Sequence, residues 1–112
     1  MAEYLEQLSE FLADCTYEDL SSDAVERARL VIADSVAAIA GGSREPEVMA
    51  LTKQMVSEAG TGPSAVIGAG LRTEPAKAAF LNGTAGTFLE MDEGNQFSRG
   101  HPAIHVVPSA LA

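Results

Sequence analysis

His101 and His105, the two histidines of the chain, stand one helical turn apart in the stretch EMDEGNQFSRGHPAIH, residues 90–105. Around them lie the carboxylates Glu90, Asp92 and Glu93, the amides Asn95 and Gln96, and Arg99. An imidazole changes charge near neutrality, so His101 beside Asp92 or Glu93 is suited to general acid/base work. Arg99 can hold a carboxylate through two parallel N–H donors. Gly94 and Gly100 let the backbone turn sharply, and Pro102 restricts how the preceding His101 is aimed. A metal site competes, with His101 and His105 as ligands and Asp92 and Glu93 completing the set. Against it, there is no HExxH motif, and Pro102 allows a regular helix through both histidines only with His101 as its N-cap. A purely structural alternative makes the loop solvated, with His101 capping the next helix and His105 packing on it.

The elements that must position this loop are helical. Tyr4, Leu5, Leu8, Phe11 and Leu12 recur at helical spacing and predict a first helix over 3–13. CTYEDLSS reads as a connector. Asp23 with Glu26 forms a capping-box pattern that opens a second helix ending at Gly41-Gly42. Its second half is apolar almost all round, which predicts a central helix with Asp34 as a buried, hydrogen-bonded carboxylate. Pro46 suits the first turn of a third helix, with Val48, Met49, Leu51, Thr52, Met55 and Val56 on its apolar side. SAVIG predicts a short extended segment, too brief for a sheet alone. The surrounding glycines match no phosphate-binding loop and read as turns.

Thr73 is expected as the N-cap of a fourth helix running to about Leu81, with Glu74-Pro75 in its first turn. Asn82-Gly83 is expected to end that helix and start a fifth. The alternative is one bent helix in which Gly83, Ala85 and Gly86 let another backbone come close. A further helix is expected to begin after Pro108, just where the sequence stops. That abrupt stop suggests a piece of a longer protein. The fold class expected is all-α, with about five to six helices in one domain spanning 1–112.

Composition narrows the function. The 112 residues suffice for one small domain. Hydrophobic content of 46% with 5% aromatic and no Trp, much of it alanine, favours closely packed helices. The net charge of −9 argues against nucleic acid and anionic membrane as general partners. Cys15 is the sole cysteine, so no intrachain disulfide forms and nothing implies an oxidising compartment. The acidic start MAEYLEQLSE is unlike a signal or transit peptide. The apolar run Val31–Ala40 is too short and too polar to span a membrane. The cytoplasm is the expected location.

Three segments, RARLVIADSVAAIAGG, AAFLNGTAGTFLEMDEG and GHPAIHVVPSALA, carry a resemblance. Their order and spacing resemble the start of the MmgE/PrpD family, which includes 2-methylcitrate dehydratases, cis-aconitate decarboxylases and iminodisuccinate epimerases. The likeness covers nearly the whole chain. It implies a cofactor-free, homodimeric lyase or isomerase of small di- or tricarboxylic acids. It also implies a helical domain built from both chain ends, with an α/β lid domain that this chain lacks.

Asp92 matches the first aspartate of the family's D-F-D-D-T signature, and His101 the histidine of its H-P element. His101 would then be the general acid/base, and Asp92 would orient it or bind substrate. The rest of the signature departs to DEGNQ, so Asn95 or Gln96 would take the polar substrate-binding position. Arg99 as a carboxylate holder follows from position alone. An anionic substrate requires most carboxylates to face away from Arg99 and His101. Family members draw further lysine, tyrosine and histidine residues from later in the chain, so the isolated piece is expected to be inactive. Two rivals stand beside the lyase: a non-catalytic helical interaction module with an exposed apolar surface, and the His101/His105 metal-binding protein.

Overall fold

The computed structural model describes residues 2–97 and 99–112. Five α-helices and one β-hairpin follow in order: α1 (Ala2–Asp14), α2 (Ser22–Gly42), α3 (Pro46–Ala59), β1 (Ser64–Val66), β2 (Leu71–Thr73), α4 (Pro75–Phe88) and α5 (Pro102–Leu111). The chain is mainly helical, as expected, and the helix count agrees. A 3₁₀ turn, Tyr17–Asp19, lies in the connector after α1.

The start of α2 differs from expectation. Ser21, not Asp23, is the N-cap, and its Oγ accepts a hydrogen bond from the Ala24 amide at 3.1 Å. Capping two residues earlier places Asp23 in the first turn, where a carboxylate complements the positive end of the helix. Nor is α2 the central helix. It buries only the stripe Ser35, Ile39 and Gly42, which recurs at i, i+4, i+7. Asp34 lies off that stripe and is exposed, so the buried carboxylate expected there is absent. Its neighbour Ser35 is the buried polar group, and its hydroxyl donates to the Val31 carbonyl at 2.9 Å.

The central element is α4, which packs against α2, α3, α5 and both strands. It is one unbroken helix across Asn82-Gly83, contrary to the two helices favoured from sequence. The reason is where the Asn82 side chain goes. It is buried; its Oδ1 accepts from the Ile67 amide at 2.9 Å and its Nδ2 donates to the Ala65 carbonyl at 3.0 Å. An amide engaged with the hairpin does not cap its own helix. The small residues serve close approach, as the alternative supposed. A Cβ on Gly86 would overlap Ile104 of α5, and one on Gly42 of α2 would overlap the Ala85 carbonyl. Ile39, Val48, Ala85 and Ile104 form the core there, with Ile67 against it.

SAVIG does find a partner strand. β1 and β2 pair antiparallel, with Ser64 opposite Thr73, Ala65 opposite Arg72 and Val66 opposite Leu71. Thr73 therefore ends β2, buried, with its hydroxyl donating to the Gly60 carbonyl at 3.2 Å. The N-cap of α4 falls on Glu74, with Pro75 at the first helical position. Likewise α5 begins at Pro102 and not after Pro108, which lies inside it. Pro108 has no N–H for the Ile104 carbonyl, a break that costs about 3 kcal/mol in an ordinary helix interior. Burial of Ala103, Ile104, Val107 and Pro108 on one side of α5 offsets it.

Candidate active site

The end of α4 and the start of α5 set the site. Leu89 is the C-cap of α4, and Glu90 turns the chain with a left-handed φ of 50° while its amide donates to the Thr87 carbonyl at 3.0 Å. The loop that follows is pinned at two places. The Asn95 amide donates to the Gly100 carbonyl at 2.8 Å, and Glu93 Oε2 accepts from the Ala103 amide at 3.2 Å. The Glu93 carboxylate thus takes one of the amides that the start of α5 leaves without an intrahelical partner, where its charge also suits the helix dipole.

That pinning brings Asp92 and His101 together. His101 is the N-cap residue of α5, without a side-chain cap bond. Its Nδ1 lies 3.4 Å from Asp92 Oδ2 and 3.3 Å from the Asp92 backbone oxygen. The Asp92 side chain is 4% exposed and that of His101 52%. Both neighbours of Nδ1 are acceptors, so the geometry suits the tautomer with the proton on this nitrogen. Nε2 is then left to accept a proton in the neutral ring or donate one in the charged ring. Asp92 Oδ2 is buried and lacks a hydrogen bond of good geometry, its contact to Nδ1 being long.

The pair lines an open cleft of about 580 Å³ together with Thr87, Glu90, Ile104 and His105. Past Thr87, Ile104 and His105 the cleft continues as a groove of about 360 Å³ between α4 and α5, reaching Phe80, Thr84 and Ser109. Of the 16 carboxylates, Glu90 and Asp92 line the cleft wall beside His101. The N-terminal end of α5 contributes partial positive charge on the same side.

Asn95, Gln96 and Arg99 do not line this cleft. The Asn95 Oδ1 accepts from the Phe97 amide at 2.9 Å in a local turn. Gln96 is exposed, and Arg99 is exposed with a left-handed φ of 53°. Sequence inspection missed Thr87 and Glu90 as lining residues, and weighed His105 as a metal ligand and a packing group, not as part of a substrate cleft. The spacing of His105 one turn beyond His101 was the one available signal. Among the described residues, no group of three or more His, Cys, Asp or Glu side chains is placed to hold a metal ion. No helix among them is long and apolar enough to cross a membrane.

The model of the MmgE/PrpD N-terminal domain family matches residues 6–112. Neither among curated proteins nor among solved structures does the chain find a match.

Proposed function

Because the chain belongs to the MmgE/PrpD family through its N-terminal domain, we propose that it supplies one wall of the active site of a cofactor-free lyase or isomerase acting on small di- or tricarboxylic acids, as a 2-methylcitrate dehydratase does. The observation that supports this is the buried Asp92 carboxylate held against Nδ1 of a half-exposed His101 at a cleft. Asp92 beside Nδ1 suits the ring tautomer that leaves Nε2 free for proton transfer. In a dehydration, a base takes the proton from carbon beside a carboxylate, the carbon–carbon double bond forms, and hydroxide leaves with a proton from an acid as water. His101 Nε2 serves as acid or base in that sequence. Asn95, Gln96 and Arg99 are the substrate-binding candidates, and they must approach the cleft when substrate or further protein closes it.

The same proposal makes residues 1–112 the N-terminal portion of the helical domain, working in the cytoplasm as a homodimer. The open cleft and the exposed Tyr4, Leu5, Phe11 and Leu12 of α1 favour completion by further protein. The chain alone is therefore inactive. The test is turnover of hydroxy and unsaturated tricarboxylates by the assembled enzyme and by its His101→Ala variant. The expected result is a loss of at least about a hundredfold in kcat, the range of general acid/base catalysis, with the circular dichroism spectrum unchanged. Unaltered turnover would remove His101 from the chemistry.

A further inference from the structure

We propose that His105, with the Thr87 hydroxyl, holds a carboxylate of the substrate at the point where the Asp92–His101 cleft opens into the groove between α4 and α5. This rests on the lyase or isomerase reading above and names the residues that bind the anionic substrate of that same site. Both residues line the cleft and the groove alike. The cleft is also where a ligand is called for. Asp92 Oδ2, on its wall, is buried without a hydrogen-bond partner. A buried carboxylate oxygen left so is costly until a donor reaches it or its neighbours close on it.

Charge decides where an anion can sit. No described Lys or Arg lines the cleft or the groove, so His101 and His105 are the lining side chains there able to carry positive charge. His101 faces Asp92 at Nδ1, and its Nε2 is kept for proton transfer. Glu90 and Asp92 line the cleft, and an anion is repelled from their side. The groove beyond Thr87 and His105 is lined by no described carboxylate. A substrate carboxylate therefore belongs at the His105 end, where the exposed ring meets it without first being uncovered.

The spacing and the donors fit. His105 follows His101 by four residues, which places it on the same face of α5 and about 6 Å further along the axis. An acid with its reacting carbon at His101 Nε2 and a second carboxylate at His105 spans that distance, so the substrate carries a carboxylate a few carbons from the reacting one. An imidazole donates an N–H to a carboxylate in either charge state and adds positive charge when protonated. From α4, Thr87 is the second donor. Its hydroxyl contacts the Gly83 and Thr84 carbonyls at 3.3 Å each, long for a hydroxyl, so it turns to a carboxylate at small cost.

The test uses the assembled enzyme and tricarballylate, a tricarboxylate without the hydroxyl that a dehydration removes, with binding read by isothermal titration calorimetry. His105→Gln is expected to weaken binding at least about tenfold, the scale of one charged hydrogen bond. It should raise KM for the acid that turns over by a similar factor, with kcat changed far less. His105→Lys, which restores a positive charge, should recover most of the affinity. Thr87→Val, which removes the hydroxyl, should weaken binding a few-fold. An unchanged Kd in His105→Gln, an equal loss in His105→Lys, or no saturable binding by the unaltered enzyme would overturn the proposal. The acid/base reading falls separately: full turnover by His101→Ala beside lost affinity in His105→Gln would keep the carboxylate site and remove His101 from the chemistry.

Discussion

Asp92 Oδ2 is the atom on which the site turns, since a buried carboxylate oxygen without a well-formed hydrogen bond is held only by what surrounds it. Replacing Asp92 by Asn keeps the shape but removes an acceptor from beside Nδ1, and an amide turned the wrong way would present N–H to N–H. The expected outcome in the assembled enzyme is a fall in kcat of about two to four orders of magnitude, the range of acid/base catalysis, with KM changed far less. Steady-state kcat and KM of the variant, measured with its circular dichroism spectrum, check it. Asp19 shows a simpler electrostatic case. The Thr16 amide at 2.9 Å, followed by the Thr16 hydroxyl at 2.8 Å, holds its carboxylate below the ordinary value of 3.8. A folded value below the unfolded one means that this turn is fully supported above pH about 3.8 and loses that support as pH falls through the lower folded value. Carboxyl shifts of Asp19 followed by acid titration should therefore show a midpoint below 3.8, and Thr16→Ala should raise it. At this scale the pair Asp92 and His101 was legible, because a carboxylate and an imidazole beside Gly and Pro imply a shaped loop. Thr87 and Glu90 were not, because their place in the cleft depends on α4 running on past Gly83.

The helices were legible where local chemistry marks them: Pro46 and Pro102 stand at first helical positions, and the apolar spacing of α1 and α3 is regular. The hairpin and the continuity of α4 were not, since both rest on one tertiary contact. Asn82 spends its amide on the Ile67 and Ala65 backbones, and nothing in the local sequence distinguishes that from a helix-ending Asn-Gly. Asn82→Ala leaves both backbone groups unsatisfied in the interior and should cost about 2–4 kcal/mol, read as a shift in the denaturant midpoint at unchanged m-value. The helix contacts make a finer prediction. At Gly86 an added methyl meets Ile104, whose Cγ1 would stand 2.7 Å away and belongs to a side chain that can rotate. At Gly42 it meets the Ala85 carbonyl, with the carbonyl carbon 2.9 Å away in rigid α4 backbone. Overpacking costs about 1–3 kcal/mol, and Gly→Ala in a helix returns up to about 1 kcal/mol. Gly86→Ala should therefore be mildly destabilising and Gly42→Ala severely so. Equal midpoints for the two variants would mean that α2 and α4 are not in the close contact described.

The molecule as a whole is not evenly packed. Its radius of gyration is 16.1 Å, against about 13 Å for a compact chain of this length, and its longest extent is 44 Å against 29 and 27 Å. The difference lies with α1, where Tyr4 is 67%, Phe11 63% and Leu12 66% exposed, while Ile39, Leu81 and Ala78 in α2 and α4 are at most 1% exposed. The amphipathic pattern of α1 was legible in the sequence; that its apolar face would find no cover within these residues was not, because periodicity tells which face is apolar and not what meets it. A helix of 13 residues is marginal in water without packing. Hydrogen exchange on the dilute chain should consequently show α1 amides opening locally, at least about a hundredfold less protected than those of α4, which corresponds to about 2.7 kcal/mol. If α1 contributes to the proposed dimer, its protection should rise with chain concentration in step with the mass measured by sedimentation, and Leu8→Glu with Phe11→Glu should abolish both. Protection of α1 equal to that of α4 at every concentration would show instead that α1 folds onto the body of the chain, and the elongated shape would have to be abandoned.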